Sequence, residues 1–151
     1  MRRIIALVLS LVAVVFAARL VGQPSQAQNS KKTSPFEGYW MGVDPVDGGD
    51  ARRSLIRQAD GTFHLAARDT FFSLCDNTDH GFGSFDDGTL IGRDVLVSNN
   101  LTLECFNNGA TVTLHVRFEL KSDNLMFEIA TRADGTPVST IVFHKVSAPQ
   151  P

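Results

Sequence analysis

Cys75 and Cys105 are the only cysteines in the chain, and they carry its most reactive side chains. Their spacing lacks the Cys-x-x-Cys arrangement of a redox-active dithiol, which argues against an oxidoreductase. Both follow an apolar leader (described below), and two cysteines in an oxidising compartment are typical of one disulfide. Closing a loop of about 30 residues would stabilise the fold by roughly 3 to 4 kcal/mol on the chain-entropy model. We therefore predict a Cys75–Cys105 disulfide, with two buried free thiols as the alternative.

Acidic side chains concentrate in two predicted loops, and carboxylate oxygens are ligands that Ca²⁺ prefers. The acidic and imidazole side chains of these loops are Asp44, Asp47, Asp50, Asp76, Asp79, His80, Asp86 and Asp87. An EF-hand loop beginning at Asp76 would place Gly81 correctly at its sixth position, but Thr78 and His80 stand where Asp or Asn is needed. Asp87 also replaces the bidentate Glu of that motif. We expect both loops to be solvated and predict no metal site.

The sequence shows no catalytic constellation. It has no Gly-x-Ser-x-Gly elbow, no His-Glu-x-x-His and no Gly-rich phosphate loop leading into a helix. Its four histidines are scattered over different predicted strands and loops: His64, His80, His115 and His144. We predict no catalytic residue, no cofactor and a non-enzymatic protein, and a small enzyme built on a barrel is the weakest alternative.

The segment 111–121 alternates more regularly than any other in the chain. Val112, Leu114, Val116, Phe118 and Leu120 share one side of a predicted strand, and His115, Arg117 and Glu119 share the other. An inward polar face would furnish a ligand cavity, whereas an outward one would be a solvent-facing ladder of charges. Because the apolar side is the natural core face, we expect the polar face to point outward.

Period-2 alternation and turn residues recur from Phe36 onward, which predicts short strands and no helices. Asp-Gly-Thr occurs at 60–62, 87–89 and 134–136 and is typical of tight hairpin turns. The sequence predicts strands over 39–43, 53–58, 63–68 and 70–75. The irregular region 76–88 follows, with a short strand around 83–86 as an alternative within it. Short strands are then expected over 90–92, 95–98 and 101–106, with a turn at Asn99-Asn100, before 111–121, 125–131 and 138–146. The fold class is therefore all-β: a single antiparallel up-and-down β-barrel of about 8 strands. A β-sandwich or jelly roll is the alternative.

The two ends of the chain differ from this region. Arg2 and Arg3 precede an apolar run from Ile4 to Ala18, and small residues precede Gln28, the layout of a signal peptide spanning 1–27. A retained anchor is the alternative, although fifteen apolar residues are short for a bilayer that needs about 20. We predict a flexible tether at 28–35, a barrel domain at 36–147, a disordered tail at 148–151, and export to a secreted or periplasmic location.

The charge of the chain is mildly acidic, with a formal net value of −2, and removing the leader takes away three arginines. No cluster of Lys and Arg is longer than two residues. This pattern argues against a nucleic-acid partner and against binding to an anionic membrane surface once the leader is cleaved.

Phe36-x-Gly38-x-Trp40, at the first strand, resembles the opening Phe-x-Gly-x-Trp of calycins, the superfamily of lipocalins, fatty-acid-binding proteins and avidin-like barrels. The resemblance implies a closed barrel in which the Gly lets the strand approach neighbouring backbone and the Trp plugs one end. Lipocalins also place an Arg on the last strand over the Trp. Lys145 is the nearest candidate for that role, and Arg132 lies one strand earlier.

We predict from these features a calycin-like barrel that binds a small, mainly apolar ligand in its interior. The predicted ligand-binding residues are Trp40, Phe72, Phe118 and Phe127. The rival prediction is a secreted protein-interaction or inhibitor module with a filled core, which would contact a protein partner through the loops 44–50 and 76–88. Whether the barrel is hollow separates the two.

Overall fold

Eight antiparallel strands pair in sequence order, and β1 closes onto β8 to form a barrel. The computed structural model describes residues 33–71 and 80–147. The strands are β1 (Gly38–Val43), β2 (Asp50–Arg57), β3 (Phe63–Asp69), β4 (Gly81–Ile91), β5 (Val95–Cys105), β6 (Thr111–Ser122), β7 (Leu125–Thr131) and β8 (Pro137–Val146). The prediction of an all-β, up-and-down barrel of about eight strands is confirmed. Each strand has a neighbour on both sides, so closure leaves no strand edge exposed.

Two of the three Asp-Gly-Thr segments form the predicted hairpin turns. In each, the aspartate side chain accepts a hydrogen bond from the threonine N–H two residues later, at 2.9 Å for both Asp60–Thr62 and Asp134–Thr136. The third segment, 87–89, lies inside β4 instead. Asp87 there accepts hydrogen bonds from Ser98 and Asn100 of β5, each at 2.5 Å, where the register of β5 shifts. The prediction of a turn at 87–89 is therefore wrong.

The region around β4 departs most from the predicted strands. Thr70 and Phe71 lie in a bend, not in the strand predicted over 70–75, and residues 72–79 lie outside the described part of the chain. Residues 81–88, predicted as irregular apart from the alternative of a short strand around 83–86, belong to β4, which runs for 11 residues. The full length of β4 was not predicted because its glycines weaken the strand pattern in the sequence. Asn99-Asn100 is likewise a register shift within β5 and not a turn between strands.

The predicted tether also needs correction at its end. Ser34 is buried, and its carbonyl accepts a hydrogen bond from the Glu37 N–H at 3.0 Å. The carbonyl of Pro35 accepts a hydrogen bond from Lys145 Nζ at 2.7 Å. These residues therefore belong to the barrel, because they make hydrogen bonds that fix the chain before β1. The predicted signal peptide (1–27) and the predicted tail (148–151) lie outside the described residues.

The core lies inside the barrel and is formed by alternate residues of all eight strands. On β6 the apolar side faces inward and His115, Arg117 and Glu119 lie on the outer side, which confirms the prediction. The largest fully buried side chains are Trp40, Phe36, Phe63, Phe118, Phe143, Leu55, Leu65, Leu96, Leu101, Leu114, Met126 and Ile141. Phe63, Phe85 and Phe118 thus pack in the core of the barrel.

Within residues 33–71 and 80–147, no helix is long and apolar enough to cross a membrane.

Candidate binding site

Trp40 is held in the core of the barrel by several contacts. Its ring is fully buried, and its indole N–H donates to the carbonyl of Phe36 at 2.9 Å. Lys145 places its ammonium 5.0 Å from the centre of the ring, within the range of a cation–π contact. Burial lowers the pKa of Lys145, and the nearby charges of Asp123 and Glu37 oppose that shift. These contacts fix the Trp40 ring on several sides, so little space remains beside it for a ligand.

Gly38 makes this arrangement possible. Its φ of +129° is one that residues with a side chain rarely adopt, and a Cβ placed there would lie 2.9 Å from Cε of Lys145. A larger residue would therefore push the Lys145 stem away from Trp40. The glycine of the Phe36-x-Gly38-x-Trp40 motif thus has a local physical reason: it leaves room for the Lys145 side chain of β8 to lie over Trp40 of β1.

Three charged side chains occupy the barrel interior. Arg53 of β2 donates from Nε to a Glu128 carboxylate oxygen at 2.6 Å and from Nη1 to Asp69 at 2.5 Å. A second pair of hydrogen bonds, at 2.9 and 3.3 Å, makes both contacts bidentate. The guanidinium also lies 5.0 Å from the centre of the Phe143 ring. All three ionic side chains are buried, so this buried ion cluster (Arg53, Asp69 and Glu128) is sealed from solvent.

Burial and charge act against each other in this cluster. Burial disfavours the charged guanidinium of Arg53, but the attraction of Glu128 and Asp69 outweighs it and raises the Arg53 pKa. Burial raises the pKa of Asp69, although Arg53 opposes that shift. Burial also raises the pKa of Asp44, which lines the same small cavity as the cluster. One permanent positive charge therefore holds two carboxylates, and burial makes Asp69 easier to protonate than an exposed aspartate.

The buried ion cluster was not predicted above, although strand parity indicates it. Arg53 lies between Ala51 and Leu55 on the same side of β2, and both are core residues. Glu128 lies in the same way between Met126 and Ala130 on β7. A charged residue in phase with core residues on a strand predicts a buried charge, and two of opposite sign predict a pair.

The interior beside this cluster is nearly full. A cavity of about 20 Å³ remains there. It is lined by Asp44, Arg53, Asp69, Leu101, Leu103, Leu114, Glu128, Ala130, Val138, Ser139 and Ile141. That volume holds about one water molecule, whereas small-molecule sites usually measure about 300 to 1,000 Å³.

The predicted ligand-binding residues do not gather around one space. Trp40 and Phe118 are fully buried in the packed core, and the Phe118 ring lies 6.2 Å from that of Phe85. Phe127 lies on the outer side of β7, opposite the buried Met126, with the Lys121 ammonium 5.2 Å from its ring. Phe127 therefore lines no space inside the barrel, because the parity of β7 turns it outward. Phe72 lies outside the described residues.

A larger cavity, of about 320 Å³, lies on the outside of the barrel across β1 to β4. We call it the outer cleft. It is lined by Tyr39, Trp40, Met41, Arg52, Arg53, Ser54, Ala66, Ala67, Arg68, Phe82 and Val146. The side chains of Trp40, Arg53 and Ala67 alternate to the inside, so their main chain forms the bottom of the outer cleft.

The register of the sheet explains the shape of the outer cleft. Ser54 pairs with both Tyr39 and Ala66, so two small side chains form a low floor across β2 and β3. The adjacent outward row carries larger side chains from four strands: Met41, Arg52, Arg68 and Phe82. Long walls beside a floor of small residues leave a trough on an otherwise even sheet.

The walls of the outer cleft are largely apolar. Tyr39 is 39%, Met41 38% and Phe82 43% exposed. The apolar surface continues past the outer cleft on the neighbouring strands, where Val43 of β1 pairs with Val142 of β8 and both are exposed. Contiguous apolar surface on the outside of a barrel is unusual and marks an interaction site more often than a chance grouping.

The acidic loops do not assemble a metal site in the described chain. The carboxylates of Asp44 and Asp47 each accept a hydrogen bond from a main-chain N–H two residues later, at 2.8 Å, and so shape their own loop. Asp86 binds Nδ1 of His64 at 2.6 Å. No group of three or more possible metal ligands occurs among the described residues, and Asp76 and Asp79 lie outside them.

Cys105 ends β5 and is buried against the core. Cys75, its predicted disulfide partner, lies outside the described residues, so the Cys75–Cys105 disulfide stays a prediction.

No protein-family model matches this chain, and no curated protein matches it.

Proposed function

We propose that this chain is an exported, non-enzymatic binding protein that holds a small, mainly apolar ligand in the outer cleft and not inside the barrel. The observation that carries the proposal is the contrast in volume: about 320 Å³ outside against about 20 Å³ beside the buried ion cluster. The outer volume falls at the lower end of the range of small-molecule sites. Its walls supply exposed aromatic and aliphatic side chains, which suit an apolar ligand.

A calycin-like origin for the barrel is part of this proposal. Lys145 lies over Trp40 from the last strand, as the resemblance implies for a cationic residue, and Gly38 gives it room. Arg132, the other candidate, lies between β7 and β8. These contacts support the resemblance in the architecture of one barrel end. They do not carry over a ligand, because the interior is filled where a hollow barrel would bind one.

Export and a Cys75–Cys105 disulfide belong to the same proposal. Their support is the leader-like sequence of residues 1–27 and the presence of just two cysteines after it. Non-reducing peptide mapping of the exported protein tests both, since it identifies the mature N-terminus and the cross-linked peptide together.

A protein-interaction module is a second candidate, and the loop 44–50 favours it. Val46 at the loop tip is 57% exposed and Phe71 is 44% exposed. The loop is held in shape by main-chain hydrogen bonds from Asp44 to Gly49 and from Gly48 to Asp44. A rigid loop with exposed apolar side chains suits a protein partner. The predicted second contact, 76–88, is partly β4 and partly outside the described residues.

Binding of the neutral apolar dye Nile red to the full-length expressed protein tests the proposed site. We expect the dye to fluoresce with the folded protein, and Ala66→Leu to reduce that signal by filling the cleft floor. Thr113→Leu is the matched control, because it adds the same apolar side chain to the outer side of β6, away from the outer cleft. Equal dye signals from wild type and Ala66→Leu would contradict the proposal.

A further inference from the structure

We infer that the ligand of the outer cleft is an amphiphile: an apolar body with one anionic group, such as a carboxylate or sulfate, held by Arg52 and Arg68. This inference rests on the proposed function and adds the charge of the ligand to it. The observation behind it is the position of these two arginines, which are directly opposite each other on β2 and β3.

Like charges that face each other across a sheet destabilise it. Arg52 and Arg68 are such a pair, and both line the outer cleft from the outer side of the barrel. Arg52 has a single exposed carboxylate near it, Asp50, at 3.7 Å. Within the described chain, Arg68 has no carboxylate within 4.0 Å, and its guanidinium lies 5.9 Å from the centre of the Phe82 ring. An anion between the two guanidinium groups would relieve their repulsion.

The lining of the outer cleft is one-sided in charge. Among its described residues the charged side chains are all arginines, and one of them, Arg53, is neutralised inside the barrel by Asp69 and Glu128. That leaves Arg52 and Arg68 to act on a ligand. The chain as a whole is acidic, with a formal net charge of −2, so this local positive patch runs against the average of the protein. Planar guanidinium groups suit carboxylate and sulfate oxygens because they can bind in a bidentate geometry.

The rest of the outer cleft suits the apolar part of the same ligand. Tyr39 pairs with Val146 across the β1–β8 junction, and the small Ser54 and Ala66 continue the same row of the sheet. Phe82 lies on the adjacent row, opposite Arg68. A ligand whose anionic group binds Arg52 and Arg68 can therefore place its apolar body on the adjacent row of the sheet. Because the two rows are adjacent, an apolar body that reaches from the arginines onto the second row is a short chain or a single ring.

A peptide is a weaker fit to the same surface. Peptides that bind to sheets commonly add a strand to an open edge. In this barrel every strand already has two neighbours, so no edge of the described sheet can accept one. A volume of about 320 Å³ also limits the occupant to the small end of known ligands.

Octanoate and octanamide separate the charge of the ligand from its apolar body, because they share a chain and differ in the anionic group. Tyr39 is the sole tyrosine, so its ring signals in the NMR spectrum of the full-length protein report on the outer cleft without ambiguity. We expect octanoate to shift these signals and to bind about tenfold more tightly than octanamide, which is the combined effect of two exposed ion pairs.

Arg52→Gln combined with Arg68→Gln should abolish the preference for octanoate and leave octanamide binding within about twofold. Arg93→Gln is the matched control, because Arg93 is an exposed arginine in the turn between β4 and β5 with a weak partner, Asp94, at 3.8 Å. The control should keep the full preference for octanoate. Octyl sulfate should behave as octanoate does, since both present an anion on the same chain.

Equal affinity of the wild type for octanoate and octanamide, with Tyr39 shifted by both, would overturn the inference and leave the proposed function standing. Retention of the octanoate preference in the double variant would also overturn it. Failure of all three compounds to shift Tyr39 would overturn both the inference and the proposed site.

Discussion

Arg52 and Arg53 are neighbours in the sequence, and they show what separates the outside of this barrel from its inside. Arg53 points inward and is fully satisfied by Asp69 and Glu128. Arg52 points outward beside an exposed Asp50 at 3.7 Å and opposite another arginine. The inside therefore uses charge to complete a filled core, whereas the outer cleft leaves Arg52 with one long, exposed ion pair beside apolar surface. A charged group whose hydrogen bonds and ion pairs are completed within the chain has a structural role. A charged group without them is available to a ligand.

Tyr39 and Trp40 repeat the comparison on β1. Trp40 is fully buried, with its N–H bound to Phe36 and Lys145 over its ring. Tyr39, one residue earlier, is 39% exposed and lines the outer cleft. The aromatic residue expected to face a ligand is thus locked in place, and its neighbour is the one that a ligand can reach.

Removing the interior charge should have the largest effect. We expect Arg53→Met to lower the free energy of unfolding by about 3 to 5 kcal/mol, because it leaves Asp69 and Glu128 buried without a partner. Arg52→Met, at the adjacent outward position, should change it by less than about 0.5 kcal/mol. Urea denaturation of the three proteins measures both effects.

A variant with no interior charge decides whether the unpaired carboxylates cause the loss of stability in Arg53→Met. Replacing all three members of the buried ion cluster with apolar residues (Arg53→Met, Asp69→Leu, Glu128→Met) should recover most of the stability lost in Arg53→Met. A triple variant as unstable as the single one would show that shape, and not unpaired charge, explains the loss.

Adding one carbon to the interior should have the next largest effect. A Cβ at Gly83 would collide with the Leu103 side chain and lie 3.3 Å from Cβ of Ala67. We expect Gly83→Ala to lower the free energy of unfolding by about 1 to 3 kcal/mol through overpacking. Ala66→Leu adds three carbons on the outer side of β3 and should cost less than about 0.5 kcal/mol. Equal costs for the two would contradict a filled interior.

The pH dependence of stability should follow the buried carboxylates. Burial raises the pKa of Asp69 above its ordinary value of 3.8, so the native state keeps this proton to higher pH than the unfolded state. The resulting stabilisation is complete below 3.8 and is lost as the pH rises through the native value. Asp69→Asn should therefore flatten the fall in the free energy of unfolding above about pH 4, measured by urea denaturation.

Glu119 provides a comparison of opposite sign on the outer surface. Hydrogen bonds from Lys121 and Arg117 lower its pKa to about 2. Its contribution is present above 4.5 and is lost as the pH falls toward about 2, so Glu119→Gln should alter the profile only at the acid end. An effect of Asp69→Asn confined to that same acid range would contradict the raised pKa of Asp69.

The smallest predicted effect concerns the two outward arginines. Arg52→Gln should raise the free energy of unfolding of the ligand-free protein by about 0.2 to 0.5 kcal/mol, because it removes a like-charge pair with Arg68. Arg93→Gln, in a turn, should leave it unchanged. Adding octanoate should reverse the order and favour the wild type over Arg52→Gln. Destabilisation by Arg52→Gln without ligand would contradict the account of the pair.

The sequence predicted the barrel because its signals are local. Alternation on β6 and the turns at Asp60 and Asp134 set strand direction and inward side, and the register opposite Arg52 follows from a hairpin centred on Asp60. Strand parity also indicates that Arg53 and Glu128 point inward. What could not be predicted depends on distant chain. Gly83 and Gly88 of β4 leave space for side chains that come from distant parts of the chain, among them Leu103 of β5 and Phe63 of β3. Phe82 reaches the outer cleft through the register of β4 against β3.

Titration of the full-length protein with octanamide, followed by the NMR signals of Tyr39 and Trp40, tests the central claim most directly. These are the sole tyrosine and the sole tryptophan, they are adjacent on β1, and they lie on opposite sides of the barrel wall. We predict that the Tyr39 ring signals shift and the Trp40 indole N–H signal stays in place. A shift of Trp40 with Tyr39 unchanged would place the ligand inside the barrel and contradict the account.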